Sequence, residues 1–158
     1  MQISKSSGFT LVELMVTTAV IAIIAMVVVP TYQGWRERVR LRGAAENTYS
    51  MIQYARSEGV KQNCDRMNVD ITEGENWSIQ LSVPAGSTCV PPDFLVSSVD
   101  YPDTELDSNV ATLWFEGGRG ISNGGTLQFT GPDNAANVVI SLRGRVTLCG
   151  NFGGMPAC

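Results

Sequence analysis

A long apolar segment dominates the first part of this 158-residue chain, running from Phe9 to Val29 and ending at Pro30. An apolar helix needs about 20 residues to cross a bilayer, so residues 9–30 are long enough to span one. Glu13 interrupts the segment, and an unpaired carboxylate is costly in a bilayer. We therefore predict a membrane-spanning helix in which Glu13 has a functional role and pairs with a cation on another chain.

Beyond Pro30 the pattern becomes amphipathic and continues to about Asn63. Small or apolar residues recur at alternating spacings of four and three, which is a helical period: Leu41, Ala45, Thr48, Ile52, Ala55 and Gly59. Residues 31–63 are therefore predicted to continue the same helix and to pack against a sheet. Pro30 removes a backbone donor and Gly34 weakens the next turn, so we expect a kink near Pro30.

After Cys64 the hydrophobic period changes to two, which is typical of half-buried strands. This alternation and the Gly, Pro and Asn turn residues predict seven short strands: 67–71, 77–83, 94–99, 110–115, 126–130, 138–142 and 145–149. Residues 100–109 are predicted to be a loop. The expected fold class is α+β, with a long N-terminal helix packed on an antiparallel β-sheet region of residues 64–158.

The N-terminus resembles that of type IV prepilins and pseudopilins, on the residues Gly8-Phe9-Thr10-Leu11-Val12-Glu13-Leu14. The seven residues before Gly8 are too short and polar for a conventional secretory signal. The resemblance implies that residues 1–8 are a leader cleaved after Gly8, that Phe9 is then N-methylated, and that Glu13 neutralises the terminal amine of a neighbouring subunit. The alternative is a single-pass membrane protein with an incidental Glu.

The same resemblance implies a location and a set of partners. The helix would be inserted in the bacterial inner membrane, with the β-rich region in the periplasm, and would then assemble into a type IV pilus or a type II secretion pseudopilus. The implied partners are other pilin subunits through the N-terminal helix, the prepilin peptidase, the inner-membrane assembly platform, and membrane lipid before assembly.

Three later stretches resemble the GspH/FimT (FimU-like) group of pilin-like proteins: Tyr54–Lys61, the lone Trp77 that opens a strand, and Ile140–Val146. This group contains minor pseudopilins of secretion systems, minor pilins that prime pilus assembly, and DNA-receptor minor pilins. The resemblance favours a structural minor pilin or pseudopilin that helps to prime assembly at the tip. A major pilin would share the anchor and is kept as an alternative.

The formal net charge of −4 conceals an uneven distribution. A basic cluster follows the apolar segment, whereas the region from Met67 onward has three basic and ten acidic residues, a net charge of −7. This excludes the general basic surface of a nucleic-acid binder. The basic cluster either contacts lipid headgroups or acidic neighbours, or is a solvated helix face; it comprises Arg36, Arg38, Arg40 and Arg42.

The closing hairpin provides the alternative of DNA binding. In the DNA-receptor branch this hairpin carries a Gly-Arg-x-Arg element, but here Thr147 replaces the second Arg of Gly144-Arg145-Val146-Thr147. Arg143 could partly substitute. Because affinity grows with the number of neutralised phosphates, two arginines beside an acidic region predict weak binding. We therefore favour a structural role for Arg143 and Arg145, in capping the hairpin or meeting a nearby acidic residue.

The cysteines and the absence of His limit the chemistry of the chain. Without His, and with cysteines expected to be paired, no nucleophile–base arrangement is evident, so an enzyme and a cofactor are not predicted. The four cysteines form no C-x-x-C motif, and an even number in an exported region favours two disulfides. Of the three possible pairings we prefer Cys64–Cys89 and Cys149–Cys158, because each closes a short loop.

The acidic segment 100–109 is a possible calcium site. Its oxygen ligands would come from Asp100, Asp103, Glu105 and Asp107. Their spacing does not match an EF-hand loop, which also needs a central Gly and a bidentate Glu at position 12. The segment is therefore predicted to be a solvated acidic loop, and no metal site is expected.

Overall fold

A single helix, α1, runs from Leu11 to Lys61 and continues through Pro30. The structure is a computed structural model that describes residues 9–152 and 154–158. The leader predicted for residues 1–8, including the cleavage site at Gly8, lies outside these residues. The chain divides into two units: one ends at Arg36, and the other, Glu37–Cys158, we call the head. The kink near Pro30 stays a prediction.

Within the head, α1 packs through the helical face that the sequence pattern predicts. The side chains on this face are small or apolar and are fully buried: Leu41, Ala44, Ala45, Thr48, Met51, Ile52 and Ala55. Burying apolar surface contributes about 25 cal/mol per Å² and is the main source of stability here. The opposite face carries polar residues such as Glu46 and Ser50, which are exposed.

The rest of the head forms two four-stranded antiparallel sheets. The first sheet has the strand order β3-β2-β1-β5 and the second β4-β6-β7-β8. The strands are β1 Met67–Thr72, β2 Ser78–Ser82, β3 Leu95–Ser97, β4 Glu105–Ser108, β5 Thr112–Phe115, β6 Gly125–Thr130, β7 Ala135–Ile140 and β8 Val146–Gly150. The predicted fold class, a long N-terminal helix with an antiparallel β region, is confirmed, although the β region contains two sheets.

The prediction that residues 100–109 form a loop is wrong in part, because β4 lies within this segment. Leu106 is the apolar residue of this strand, and it is buried opposite Phe129 of β6. On its other side, the backbone of Leu106 exchanges hydrogen bonds with Gly74, at 2.9 and 3.3 Å. The strand therefore depends on partners distant in sequence and not on its own alternation.

An aromatic cluster around Trp77 joins the core of the two sheets. Trp77 stacks on Tyr101 with ring centroids 6.2 Å apart and meets Phe129 edge-on at 5.2 Å. Its indole nitrogen donates hydrogen bonds to the backbone oxygen and the hydroxyl of Thr104, at 3.1 and 3.2 Å. A buried Trp needs such a partner for its N–H. Trp77 is fully buried and connects three parts of the head.

Side-chain amides complete the backbone hydrogen bonding where the two sheets meet. The Asn123 amide accepts from Trp114 N and donates to Thr112 O, both at 3.0 Å, so it covers the free edge of β5. Asn109 Oδ1 accepts from Thr126 N at 2.8 Å at the start of β6. An uncovered strand edge favours unwanted association, and Asn123 covers the edge of β5.

A close backbone approach at Gly117 joins the end of α1 to the loop after β5. Gly117 N donates to Cys64 O at 3.0 Å. A Cβ at Gly117 would collide with that oxygen and would lie 2.6 Å from both Cys64 N and Gly59 O. At the adjacent Gly118, the nearest atom to a Cβ would be Asn63 Oδ1, 4.0 Å away.

We expect Gly117→Ala to lower the free energy of unfolding by about 1–3 kcal/mol, because the backbone must shift to admit the methyl group. Gly118→Ala is the matched control and should change stability by no more than ~0.5 kcal/mol. Urea denaturation of the full chain in detergent, followed by circular dichroism, measures both. Equal losses in the two variants would contradict this account of Gly117.

Candidate functional site

The first part of α1 presents an apolar surface on all sides. It contains an 18-residue window of mean hydropathy 2.6 and is long and apolar enough to cross a membrane. Its large side chains are exposed in the isolated chain, for example Ile21 at 65% and Ile23 at 66%. The hydroxyls of Thr17 and Thr18 donate to Leu14 O and Met15 O within the helix. Apart from Glu13, this surface is therefore suited to lipid or to other apolar helices.

Glu13 lies in the first turn of α1, where an acidic side chain interacts favourably with the helix dipole. Its backbone N–H donates to Thr10 Oγ1 at 3.2 Å, so Thr10 acts as the N-cap. The Glu13 carboxylate has no ion-pair partner among residues 9–152 and 154–158. The pairing of Glu13 with a cation of another chain stays a prediction.

Contacts made by the charged cluster at 36–42 anchor loops of the head to α1. Arg40 forms an ion pair with Asp103 at 2.6 Å. Glu37 Oε1 accepts hydrogen bonds from Asp133 N and Asn134 Nδ2, both at 3.1 Å. Arg42 pairs with Glu46 one turn further along. The basic cluster fits both interpretations, contact with lipid headgroups or acidic neighbours and a solvated helix face. Arg40 also has a structural role that the sequence did not indicate, its ion pair with Asp103.

Three arginines lie on two turns that contact each other near the C-terminal end of α1. The turns are held together at Gly120 and Gly144, since a Cβ on Gly144 would collide with Gly120 O. Both glycines have positive φ, of 62° and 71°. Arg56 of α1 donates from Nε to Gly120 O at 3.1 Å. Arg119, Arg143 and Arg145 on these two turns are exposed, and we call the two turns with their arginines the basic turns.

The structural role that the sequence favoured for Arg143 and Arg145, in capping the hairpin or meeting an acidic residue, stays a prediction. The hairpin is closed by Ser141, whose hydroxyl accepts from Arg145 N at 3.1 Å and whose backbone exchanges hydrogen bonds with Gly144 and Arg145. Neither guanidinium pairs with an acidic group in the described parts of the chain. Sequence reasoning also missed Arg119, because only the fold brings residue 119 beside residues 143–145.

Both predicted disulfides, Cys64–Cys89 and Cys149–Cys158, are present. The first joins the end of α1 to the loop between β2 and β3. Gln62 strengthens this connection: its amide accepts from Val90 N at 3.0 Å and donates to Val90 O at 3.1 Å. Gln62 also donates to Glu58 at 2.8 Å, and this hydrogen bond, with a contribution from Lys61, lowers the pKa of the Glu58 carboxyl.

The acidic segment after Asp100 is only partly solvated, since β4 occupies its second half and Asp103 pairs with Arg40. Asp103 has a positive φ of 64°, a conformation in which Asp is enriched. In the described residues, no group of three or more His, Cys, Asp or Glu side chains could hold a metal ion. The calcium alternative therefore gains no support from this segment.

This combination of an apolar N-terminal helix with one early Glu, an amphipathic helical continuation and antiparallel sheets defines a type IV pilin-like protein. Family comparisons give the particular group. Residues 44–151 match the family described as "Type II transport protein GspH", and residues 3–29 match the "Prokaryotic N-terminal methylation motif". The chain therefore belongs to the GspH family and carries the methylation motif.

Solved structures support the fold. Crystal structures of the type IV minor pilin FimU of Pseudomonas aeruginosa strain PAO1, in two space groups, are 24% identical to this chain. The superpositions have TM-scores of 0.58 and 0.54. They cover 72% and 68% of this chain and 91% of each FimU chain. A search of curated proteins finds no match.

Membership of this family establishes the general class of function. Proteins of this kind are anchored in the inner membrane by the apolar helix and carry a soluble head. They assemble into filaments with other pilin subunits after processing by the prepilin peptidase. They are structural proteins and not enzymes.

Proposed function

We propose that this chain is a minor pilin or pseudopilin that helps to prime filament assembly and occupies a position near the tip. The minor role is carried by the match to the GspH family and the FimU-like fold. Assembly through the helix is supported by Glu13, a carboxylate in the first turn of an apolar helix with no ion-pair partner among the described residues, a feature that a major pilin would share.

Glu13 would act by selecting the correct neighbour. In the filament core, the carboxylate would neutralise the N-terminal amine that cleavage after Gly8 creates on Phe9 of another subunit. Removing one partner from a buried ion pair leaves the other charge desolvated, at a cost of about 3–5 kcal/mol. A subunit that lacked this pairing would therefore be excluded from the apolar core.

The abundance of the chain in filaments tests the minor role. In the bacterium that encodes it, we would delete the gene, count surface filaments and measure secretion, and quantify the chain by mass spectrometry in sheared filaments of the parent strain. The proposal expects trace amounts of the chain and a large loss of filaments or secretion on deletion. High abundance would instead identify a major pilin, the first alternative.

DNA binding is the second candidate function, and the convergence of Arg119 with Arg143 and Arg145 favours it. Three exposed arginines on adjacent turns would contact successive phosphates bidentately. If three phosphates are neutralised, a plot of the logarithm of the binding constant against the logarithm of the salt concentration should have a slope of roughly −2.7. This slope is modest, so binding would be weak at physiological salt.

The corresponding prediction concerns the full chain in detergent and a duplex DNA probe, measured by fluorescence anisotropy across a salt series. If DNA uptake is the function, a triple variant should no longer bind the DNA probe or show a salt dependence. This variant combines Arg119→Ala, Arg143→Ala and Arg145→Ala. Arg42→Ala is the matched control, since Arg42 is an exposed arginine outside the basic turns, and it should bind like the parent chain. Absence of binding by the parent chain at low salt would remove this candidate.

A further inference from the structure

Two aromatic rings and a guanidinium follow the apolar segment of α1 on one face of the helix. The ring centroids of Tyr32 and Trp35 are 5.8 Å apart. The guanidinium carbon of Arg36 lies 5.9 Å from the centroid of the Tyr32 ring. Residues three and four apart are neighbours on a helix surface, so the three side chains form one surface. We call Tyr32, Trp35 and Arg36 the aromatic–arginine group.

The aromatic–arginine group is not covered by the protein. Tyr32 is 55% exposed and Trp35 is 57% exposed, and Arg36 is exposed as well. Among residues 9–152 and 154–158, the Arg36 guanidinium has no ion-pair partner. The large side chains of the helix before the group are also exposed, so the rings extend a contiguous apolar surface, and such a surface marks an interaction site.

The position of the group along α1 indicates what covers it. Family membership places the apolar helix in the inner membrane. The segment 9–29 has 21 residues, about 31 Å of helix, which matches a hydrocarbon core about 30 Å thick. Tyr32 and Trp35 follow Val29 by about 4.5 and 9 Å along the helix axis. The headgroup region on each side of the core is about 5–8 Å thick, so the group starts at this level.

The chemistry of the three side chains fits the headgroup region. Trp and Tyr are enriched there because each ring has an apolar body and a polar N–H or O–H. An Arg side chain places its stem against apolar surface and its charge in the polar layer. Long side chains on a helix also point back toward the helix N-terminus, which brings the Trp35 ring and the Arg36 guanidinium closer to the hydrocarbon core.

We propose that the aromatic–arginine group binds the headgroup region of an anionic phospholipid while the chain is in the membrane. The Tyr32 and Trp35 rings would lie at the hydrocarbon boundary, and the Arg36 guanidinium would donate paired hydrogen bonds to the lipid phosphate. Of the two interpretations of the basic cluster, this assigns headgroup contact to Arg36. The inference rests on the membrane anchoring established for the family and not on the proposed role in priming.

This contact would also fix the depth of Glu13 in the membrane. Glu13 precedes Tyr32 by 19 residues, about 28 Å of helix, which is close to the thickness of the hydrocarbon core. With Tyr32 held at one boundary, Glu13 lies near the other boundary. A carboxylate close to the headgroups costs less free energy than one at the bilayer centre. The group would therefore make Glu13 tolerable in the membrane before assembly.

Fluorescence quenching by brominated lipids tests the depth of Trp35 in the full chain, reconstituted into phosphatidylcholine vesicles. The bromine atoms lie on the acyl chain, either near the headgroup or near the chain end. Trp77 and Trp114 belong to the head, and the Trp35→Phe variant gives their contribution, which is subtracted. We expect at least about twofold more quenching of Trp35 by the shallow bromine than by the deep one. Stronger quenching by the deep bromine, or no quenching of Trp35 by either, would overturn the proposal.

The lipid preference of the same signal tests Arg36. Brominated phosphatidylglycerol, which is anionic, is compared with brominated phosphatidylcholine at equal mole fraction and with the bromine near the headgroup. We expect the anionic lipid to associate with Trp35 at least about threefold more strongly. Arg36→Ala should remove this preference. Arg119→Ala is the matched control, since Arg119 is an exposed arginine of the head, and it should keep the preference.

Two results of the lipid comparison would contradict the proposal. A parent chain without preference for the anionic lipid, or an Arg36→Ala variant that keeps the preference, would show that Arg36 does not bind the headgroup. Loss of the preference in Arg119→Ala would show a general attraction between the charged chain and the vesicle surface instead of a site. Neither measurement needs filaments, so both are independent of the proposed role in assembly.

Discussion

Glu13→Val is expected to insert into the membrane at normal levels but to enter filaments at least about a hundredfold less than the parent chain. In the role we propose for Glu13, the substitution would leave the amine of the neighbouring subunit buried without its counter-charge, at a cost of about 3–5 kcal/mol. Each 1.4 kcal/mol corresponds to about tenfold in an equilibrium constant, which gives the hundredfold lower limit. Membrane insertion should be unaffected, because removing a carboxylate from an apolar segment favours the bilayer.

Thr17→Val is the matched control for this prediction. Thr17 is a polar residue in the same apolar segment, and its hydroxyl donates to Leu14 O at 2.9 Å within the helix. Replacing it removes a polar group without removing a charge. Quantitative immunoblots of membranes and of sheared filaments measure insertion and incorporation separately. Normal incorporation of Glu13→Val would remove the assigned role of Glu13.

A third variant, Glu13→Gln, separates charge from shape. Glutamine keeps the length of the side chain and can accept a hydrogen bond from an ammonium group, but it cannot neutralise the group. If charge pairing selects the neighbour, Glu13→Gln should resemble Glu13→Val. Incorporation close to that of the parent chain would show that a hydrogen bond is enough, and the desolvated charge would then not be the reason for selection.

Local patterns predicted those parts of the structure that are determined locally. The amphipathic spacing from Leu41 to Gly59 predicted the buried face of α1, because neighbours on a helix are three or four residues apart. Alternation likewise predicted most strands. The disulfides followed from pairing each cysteine with its neighbour along the chain, across 25 residues for Cys64–Cys89 and 9 for Cys149–Cys158. The helix face and most strands follow periodic patterns that can be recognised without knowing what they pack against.

The features missed from the sequence depend on residues that are far apart. β4 contains little alternation, and Leu106 is buried by Phe129 and held by Gly74, each more than 20 residues away. The basic turns exist because Gly120 and Gly144 touch. No periodicity in the sequence reports such contacts. For the same reason the contact between Tyr54 of α1 and Phe94 could not be predicted.

Trp77 is the position in the head where we expect a substitution to be most destabilising. Trp77→Ala should lower the free energy of unfolding by about 3–5 kcal/mol, the usual cost of truncating a buried aromatic side chain. The loss combines apolar contacts to Tyr101 and Phe129 with the cavity left between the sheets. It also leaves the Thr104 carbonyl without its donor. Domains of this size are stable by roughly 5–15 kcal/mol, so this is a large fraction of the total.

Trp77→Phe should lose less than the alanine variant, because a ring remains to fill most of the space. Its cost should be about 1–3 kcal/mol for the unsatisfied acceptor at Thr104. Urea denaturation of the full chain in detergent, followed by circular dichroism, measures both variants without relying on Trp fluorescence. Similar losses for the Ala and Phe variants would show that the indole hydrogen bond, and not the buried volume, dominates the role of Trp77.

Trp114→Ala is the matched control within the same head. Trp114 is half-buried on β5, and the guanidinium carbon of Arg66 lies 4.4 Å from its ring centroid. Losing this cation–π contact should cost about 0.5–1 kcal/mol. The difference between the two tryptophans tests whether Trp77 joins the sheets. If Trp114→Ala destabilises the head as much as Trp77→Ala, the stability of the head does not depend on the aromatic cluster between the sheets, and the role assigned to Trp77 is wrong.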